Sequence, residues 1–186
     1  MSTSGGYTAL PSGSVPGSLF VVGTWYPTEW IAVGNTAFAN GTVTAIPFYV
    51  GVSHTFSAIG LTTTVAATGP GIATFGVYSD NGSGYPSSLI VAAGSVSVAS
   101  VGVCQVTTPI ALTPGLYWLA VSLSGATAPA TINRNAGYLS GVIGESGPGA
   151  IYSTGGWVLN GQPAALPATF VAGAYNTTTA LVGVLA

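Results

Sequence analysis

Few side chains in this sequence can do acid–base, nucleophilic or metal chemistry. Glu29, Asp80 and Glu145 are the carboxylates, Arg134 is the one basic side chain beside His54, and Cys104 is the one thiol. A glycosidase needs two carboxyl groups facing each other across a sugar. Three carboxylates allow such a pair by arithmetic, which makes a hydrolase built on Asp80 or Glu145 the most distant reading, since each sits in a turn-like or surface-like context. His54 follows Gly51-Val52-Ser53 with no nucleophile elbow in the chain, so a hydrogen-bonded or exposed histidine is expected and not a triad base. Asp80-Asn81-Gly82-Ser83-Gly84 starts like a calcium loop but lacks its alternating oxygen ligands and terminal Glu; Asp and Asn before Gly read better as a tight turn. Cys104 stands alone in Val103-Cys104-Gln105-Val106, which excludes an intrachain disulfide and predicts a small buried apolar residue. No catalytic, cofactor-binding or metal-ligating residue is assigned, and the chain is expected not to be an enzyme.

The charge census says more about partners. Charged residues make up 2% of the 186-residue chain, against about a quarter in an ordinary soluble domain. Phosphate backbones are held by several Lys or Arg, so nucleic acid is excluded as a main partner. So little charge favours association, and burial against copies or partners is expected. Met1 to Gly6 lacks a basic segment followed by an apolar run, so no secretory signal is read there. The most apolar window, Leu89 to Val106, alternates Val96 and Val98 with Ser95 and Ser97, which is strand periodicity and not a membrane span. Aromatic rings in loop-like stretches are the positive signal for binding. Trp25, Tyr26, Trp30, Tyr85, Tyr138 and Trp157 are candidate contacts, either stacking on host-surface glycans or filling a subunit interface.

The elements that must position these rings read as β throughout. Gly at 28 and Pro at 12 residues break helices, while 48% apolar residues suffice for a core. The fold expected is all-β: an antiparallel β-sandwich, jelly-roll-like, with an extended N-terminal arm over residues 1–18 and a single domain over 19–186. The clearest stretch is 72–123, where Phe75 and Val77, then Leu116, Trp118 and Ala120, alternate between turns at Asp80-Asn81-Gly82 and Pro114-Gly115. Tyr78 and Trp118 are expected to anchor the sandwich. Leu19 to Val22 is the first strand candidate, and 25–30 an irregular aromatic loop. Thr42 to Val50 is a strand with an edge or bulge at Pro47, and Thr55 to Val65 a strand with a bulge at Gly60. Leu89–Ala93, Ser95–Ala99 and Val103–Thr107 read as short strands, and 124–168 as a long Gly- and Pro-rich interface stretch, with Thr169–Val171 and Ala180–Leu185 returning to the sheet.

Phe75-Gly76-Val77-Tyr78-Ser79-Asp80-Asn81-Gly82, followed by Pro86 and Leu89, and Leu112-Thr113-Pro114-Gly115-Leu116-Tyr117-Trp118-Leu119-Ala120 resemble a domain that recurs in tailed-bacteriophage virion proteins. Ala45-Ile46-Pro47-Phe48 and Ala165-Leu166-Pro167-Ala168-Thr169-Phe170 are similar to further parts of that pattern, so the resemblance spans roughly 42–170. It implies a jelly-roll sandwich on a phage tail fibre, minor tail protein or capsid decoration, often oligomeric, and brings no catalytic residues. The expectation is a virion structural protein that assembles as a homo-oligomer, a trimer, with itself and other virion proteins. The alternative is a carbohydrate-binding module reading host glycans through its loop aromatics. The shortage of charge favours packing within a larger structure over a free fibre tip.

Overall fold

The computed structural model describes residues 20–28, 33–135, 155–171, 173–176 and 179–186. The arm over 1–18, Glu29, Trp30, Tyr138 and Glu145 lie outside the described residues. Strands run in the order β1 (Trp25–Pro27), β2 (Val33–Ala37), β3 (Val43–Val50), β4 (His54–Val65), β5 (Ile72–Asp80), β6 (Pro86–Ser97) and β7 (Gly102–Leu112). They continue with β8 (Gly115–Ser124), β9 (Thr131–Asn135), β10 (Gly156–Leu159), β11 (Ala174–Asn176), β12 (Thr179–Ala180) and β13 (Gly183–Leu185). Two antiparallel sheets result. One is ordered β11-β10-β3-β8-β5-β6; the other β1-β13-β4-β9-β12, with β2 on β9 and β7 on β4. Pairing is nested: β3 with β8, β4 with β7, β5 with β6. That nesting, with successive pairs falling in alternate sheets, is jelly-roll-like connectivity, and the molecule is a β-sandwich.

Period-two alternation explains which faces meet. Ala73, Phe75 and Val77 of β5 and Leu119, Val121 and Leu123 of β8 point between the sheets, where they join Ile46, Phe48, Phe56, Ile59, Leu61, Ile110 and Ile132. A second apolar cluster lies on the opposite, outer face of the six-stranded sheet. It holds Val43, Ala45, Tyr78, Trp118, Ala120, Leu159 and Phe170. Tyr78 and Trp118 are therefore fully buried, but outside the inter-sheet core they were expected to anchor.

Several local expectations change for physical reasons. Residues 20–22 form no strand, whereas Trp25–Pro27 does, because it pairs with the distant Gly183–Leu185. Pro47, by contrast, sits at an edge as expected, because β10 covers only Val43–Ala45 on that side of β3 among the described residues. The ladders of β4 shift register opposite Ser57, where β7 carries the extra residue, and between Thr63 and Val65, so Gly60 pairs regularly. Leu89–Ala93 and Ser95–Ser97 belong to one long strand, β6, which runs through Gly94 and ends before Val98 and Ala99.

Candidate functional site

Residues 160–171 cross the outer face of the six-stranded sheet as a strap. Gln162 N donates to Gly41 O at 2.8 Å beside β3, and the Ser122 hydroxyl of β8 donates to Ala164 O at 3.2 Å. The Tyr78 hydroxyl of β5 donates to Pro167 O at 2.7 Å. On β6, Leu89 N donates to Ala168 O at 2.9 Å and Phe170 N donates to Ser87 O at 2.8 Å. The contacts follow the strand order β3, β8, β5, β6, so one segment runs across the sheet and seals the second apolar cluster. Gly76 makes room for it: a Cβ there would stand 2.6 Å from Leu166 Cδ1. Burial pushes the Tyr78 phenol well above the usual tyrosine range.

Asp80 is the carboxylate at the end of this face, and its oxygens are engaged within the chain. Oδ1 accepts from the buried Trp118 indole N–H at 2.9 Å; Oδ2 accepts from Gly82 N at 2.6 Å and Gly84 N at 3.4 Å. Gly82 has φ of +87°, the left-handed turn conformation that Asp80 and Asn81 predict. With two N–H donors on one oxygen and an indole on the other, the carboxylate acts as the clasp of the turn. Tyr85 and Trp157 pack against each other edge to face, ring centroids 4.4 Å apart, beside Phe170. The Trp157 indole donates to Gly84 O at 3.2 Å, and the Tyr85 hydroxyl accepts from Gly173 N at 2.7 Å. Both rings thus buttress the strap.

The other candidate rings lie elsewhere. Tyr26 turns inward, its hydroxyl accepting from Val21 N at 2.8 Å and its ring 5.0 Å from Phe20. Trp25, one residue earlier, faces outward on the seven-stranded sheet and walls a cleft of about 230 Å³. The floor is backbone: Gly183 of β13 sits directly opposite Gly60 of β4. A Cβ on Gly183 would stand 3.5 Å from Trp25 Cε3, so the indole leans over the glycine. Pro27, Val103 and Leu181 add apolar walls, while Thr62 and Asn133 supply a hydroxyl and an amide. The sequence flags Trp25 for this place. It misses the rest, because two facing glycines separated by more than a hundred residues carry no local pattern.

Along one side of the sandwich the seven-stranded sheet ends at β7, which among the described residues pairs with β4 alone. The strand is eleven residues long and carries no charged side chain. Val103 is 65% exposed and Val101, just before the strand, 66%.

Two further reactive groups, Cys104 and His54, are held by the packing around them. Cys104 is buried as expected, its Sγ 3.3 Å from Thr63 Oγ1. His54 lies among rings, with centroids 4.8 Å from Phe56 and 5.2 Å from Phe20, and its Nε2 is buried without a hydrogen-bond partner among the described residues. Among the described residues no three His, Cys, Asp or Glu side chains gather to hold a metal ion. No protein-family model, curated protein or solved structure matches the chain.

Proposed function

We propose that this chain is a non-catalytic structural protein of a tailed-bacteriophage virion, working by assembly with copies of itself. The observation that carries the reading is the edge of β7. Natural sheets blunt a long edge with charge, proline, bulges or a covering segment. Among the described residues β7 has Pro109 and the bulge that sets Thr108 and Pro109 against Ser57, both at one end, so Gly102 to Thr107 stay available for pairing. The edge strand of the other sheet, β6, is by contrast covered at Ser87–Leu89 by the strap. A second copy adding its strand would supply main-chain hydrogen bonds along this stretch and cover the exposed valines. The scarcity of charge on the chain removes the repulsion that would hold copies apart.

The virion setting rests on the resemblance of the 72–123 and 165–170 motifs. Those residues come together as one unit here, with Tyr78, Asp80, Trp118, Pro167 and Phe170 in the clasp and strap. They make scaffold, in keeping with a protein that acts by shape. Light scattering on the purified protein tests the reading. A mass at a multiple of 18.2 kDa is expected, and a Gln105→Lys/Thr107→Lys variant should dissociate towards 18.2 kDa with its circular dichroism unchanged. A wild-type monomer at micromolar concentration contradicts assembly, and failure to detect the chain in purified phage particles contradicts the setting.

A further inference from the structure

We infer that the cleft beside Trp25 is a binding site for one neutral sugar ring, and the geometry points to a pyranose lying with its C–H face on the indole and the glycine floor. The reading does not rest on assembly, although Val103 belongs to both places, and it stands on four features of the cleft. Its floor is the facing pair Gly60 and Gly183, where side chains would otherwise stand. Cross-strand partners share a face, so Trp25 and Pro27 project to the same side as Gly183, and Val103 to the same side as Thr62. Leu61 and Val184, the alternate residues, belong to the inter-sheet core instead.

The size selects a small ligand. Pockets for drug-sized molecules span about 300–1,000 Å³. A cleft of about 230 Å³ is smaller and suits a single ring. The chemistry selects a neutral, two-faced one. Among the described residues no ionisable side chain lines the cleft, so a phosphate, a carboxylated sugar or a cation would be desolvated there without a charged partner from these walls. A pyranose presents axial C–H groups on one face and hydroxyls around its rim. The indole and the glycines match the first. The Asn133 amide, with both donor and acceptor, and the Thr62 hydroxyl match the second. The glycines matter because a ring can approach the backbone of β4 and β13 only where Cβ atoms are missing.

The two floor positions differ in what they tolerate. A Cβ on Gly60 would stand 2.7 Å from Cys104 O, so substitution there strains the β4–β7 pairing itself. At Gly183 the nearest atom is Tyr26 O at 3.2 Å, with Pro27 Cα at 3.4 Å, so Gly183→Ala fills the floor at smaller cost to the fold.

The test is saturation-transfer NMR on the full chain, in whatever assembly it forms, with methyl β-D-glucopyranoside, methyl β-D-galactopyranoside, methyl α-D-mannopyranoside and N-acetyl-D-glucosamine as probes. At least one probe should bind with a millimolar dissociation constant, its ring protons on one face receiving the strongest saturation. Trp25→Ala should weaken that binding by about tenfold or more, the cost of losing an aromatic platform. Gly183→Ala and Asn133→Ala should each weaken it several-fold while leaving the thermal midpoint within a few degrees. If Trp25→Ala does not fold, the Gly183 and Asn133 variants carry the test. No saturation with any of the four probes overturns the inference. So does binding that is unchanged in Gly183→Ala and Asn133→Ala, which would place the sugar elsewhere. Binding by a monomer would leave the cleft standing while removing assembly, so the two proposals fail separately.

Discussion

Replacing Asp80 with Ala removes the clasp between β5, the 81–85 turn and β8, and its cost follows from three hydrogen bonds. The largest part is the Trp118 indole N–H, donated to Oδ1 at 2.9 Å from a fully buried side chain. A buried donor left without an acceptor costs about 1–3 kcal/mol. The two backbone bonds at Gly82 and Gly84 lie in a largely exposed turn where water replaces the carboxylate, so together they contribute on the order of 1 kcal/mol, as a capping carboxylate does. Asp80→Ala should therefore lose about 2–4 kcal/mol in urea unfolding with an unchanged slope. Asp80→Asn keeps one acceptor but turns an NH₂ towards either the indole or the turn amides, and should lose about 1–2 kcal/mol. Trp118→Phe removes the donor, so the Asp80→Ala/Trp118→Phe double variant should fall short of the sum of the singles by about 1–2 kcal/mol. Additive losses, or an Asp80→Ala cost below about 0.5 kcal/mol, would refute the clasp. A hydrolase using Asp80 makes the opposite forecast, since freeing a catalytic carboxylate removes turnover and leaves stability near wild type.

Three other expectations are equally open to measurement. Phe170 is 2% exposed and holds the strap to Tyr78 and Tyr85; Phe170→Ala should cost about 3–5 kcal/mol and make the 160–171 segment the first site of limited proteolysis. The Tyr78 phenol is raised above its unfolded value, so its contribution is complete below about pH 10 and declines as the pH rises further, where unfolded tyrosine ionises first. Tyr78→Phe should flatten that alkaline loss while costing about 0.5–1.5 kcal/mol at neutral pH for the bond to Pro167, and an alkaline limb identical in both proteins would assign the loss to other groups. Cys104 should react with a thiol reagent only at the rate of global unfolding, and fast labelling of the native protein would show that β7 opens locally.

The fold was legible where a strand is long enough to show its own period-two alternation. β5 and β8 alternate cleanly, and their turns at Asp80-Asn81-Gly82 and Pro114-Gly115 stand where the dipeptides place them. Strands of a few residues, fixed by a remote partner, were not. Trp25–Pro27 is three residues long and is a strand only because Gly183–Leu185 lies beside it. The strap carries no period, because a segment crossing strands meets a different partner every few residues and satisfies its polar groups one at a time. Its residues 165–170 stood out only as part of a motif. Tyr85 and Trp157 were each readable from ring type as candidate glycan or interface contacts, while their polar atoms are engaged by Gly173 and Gly84. Trp25, by contrast, walls the cleft over Gly60 and Gly183.

Pairing between copies along β7 is tested most directly by amide hydrogen exchange followed residue by residue. Assembly predicts that amides between Gly102 and Thr107 facing away from β4 exchange slowly in the wild-type protein and rapidly in the Gln105→Lys/Thr107→Lys variant, with β4 and β5 protected alike in both. Rapid exchange of those β7 amides in the wild-type protein would contradict it.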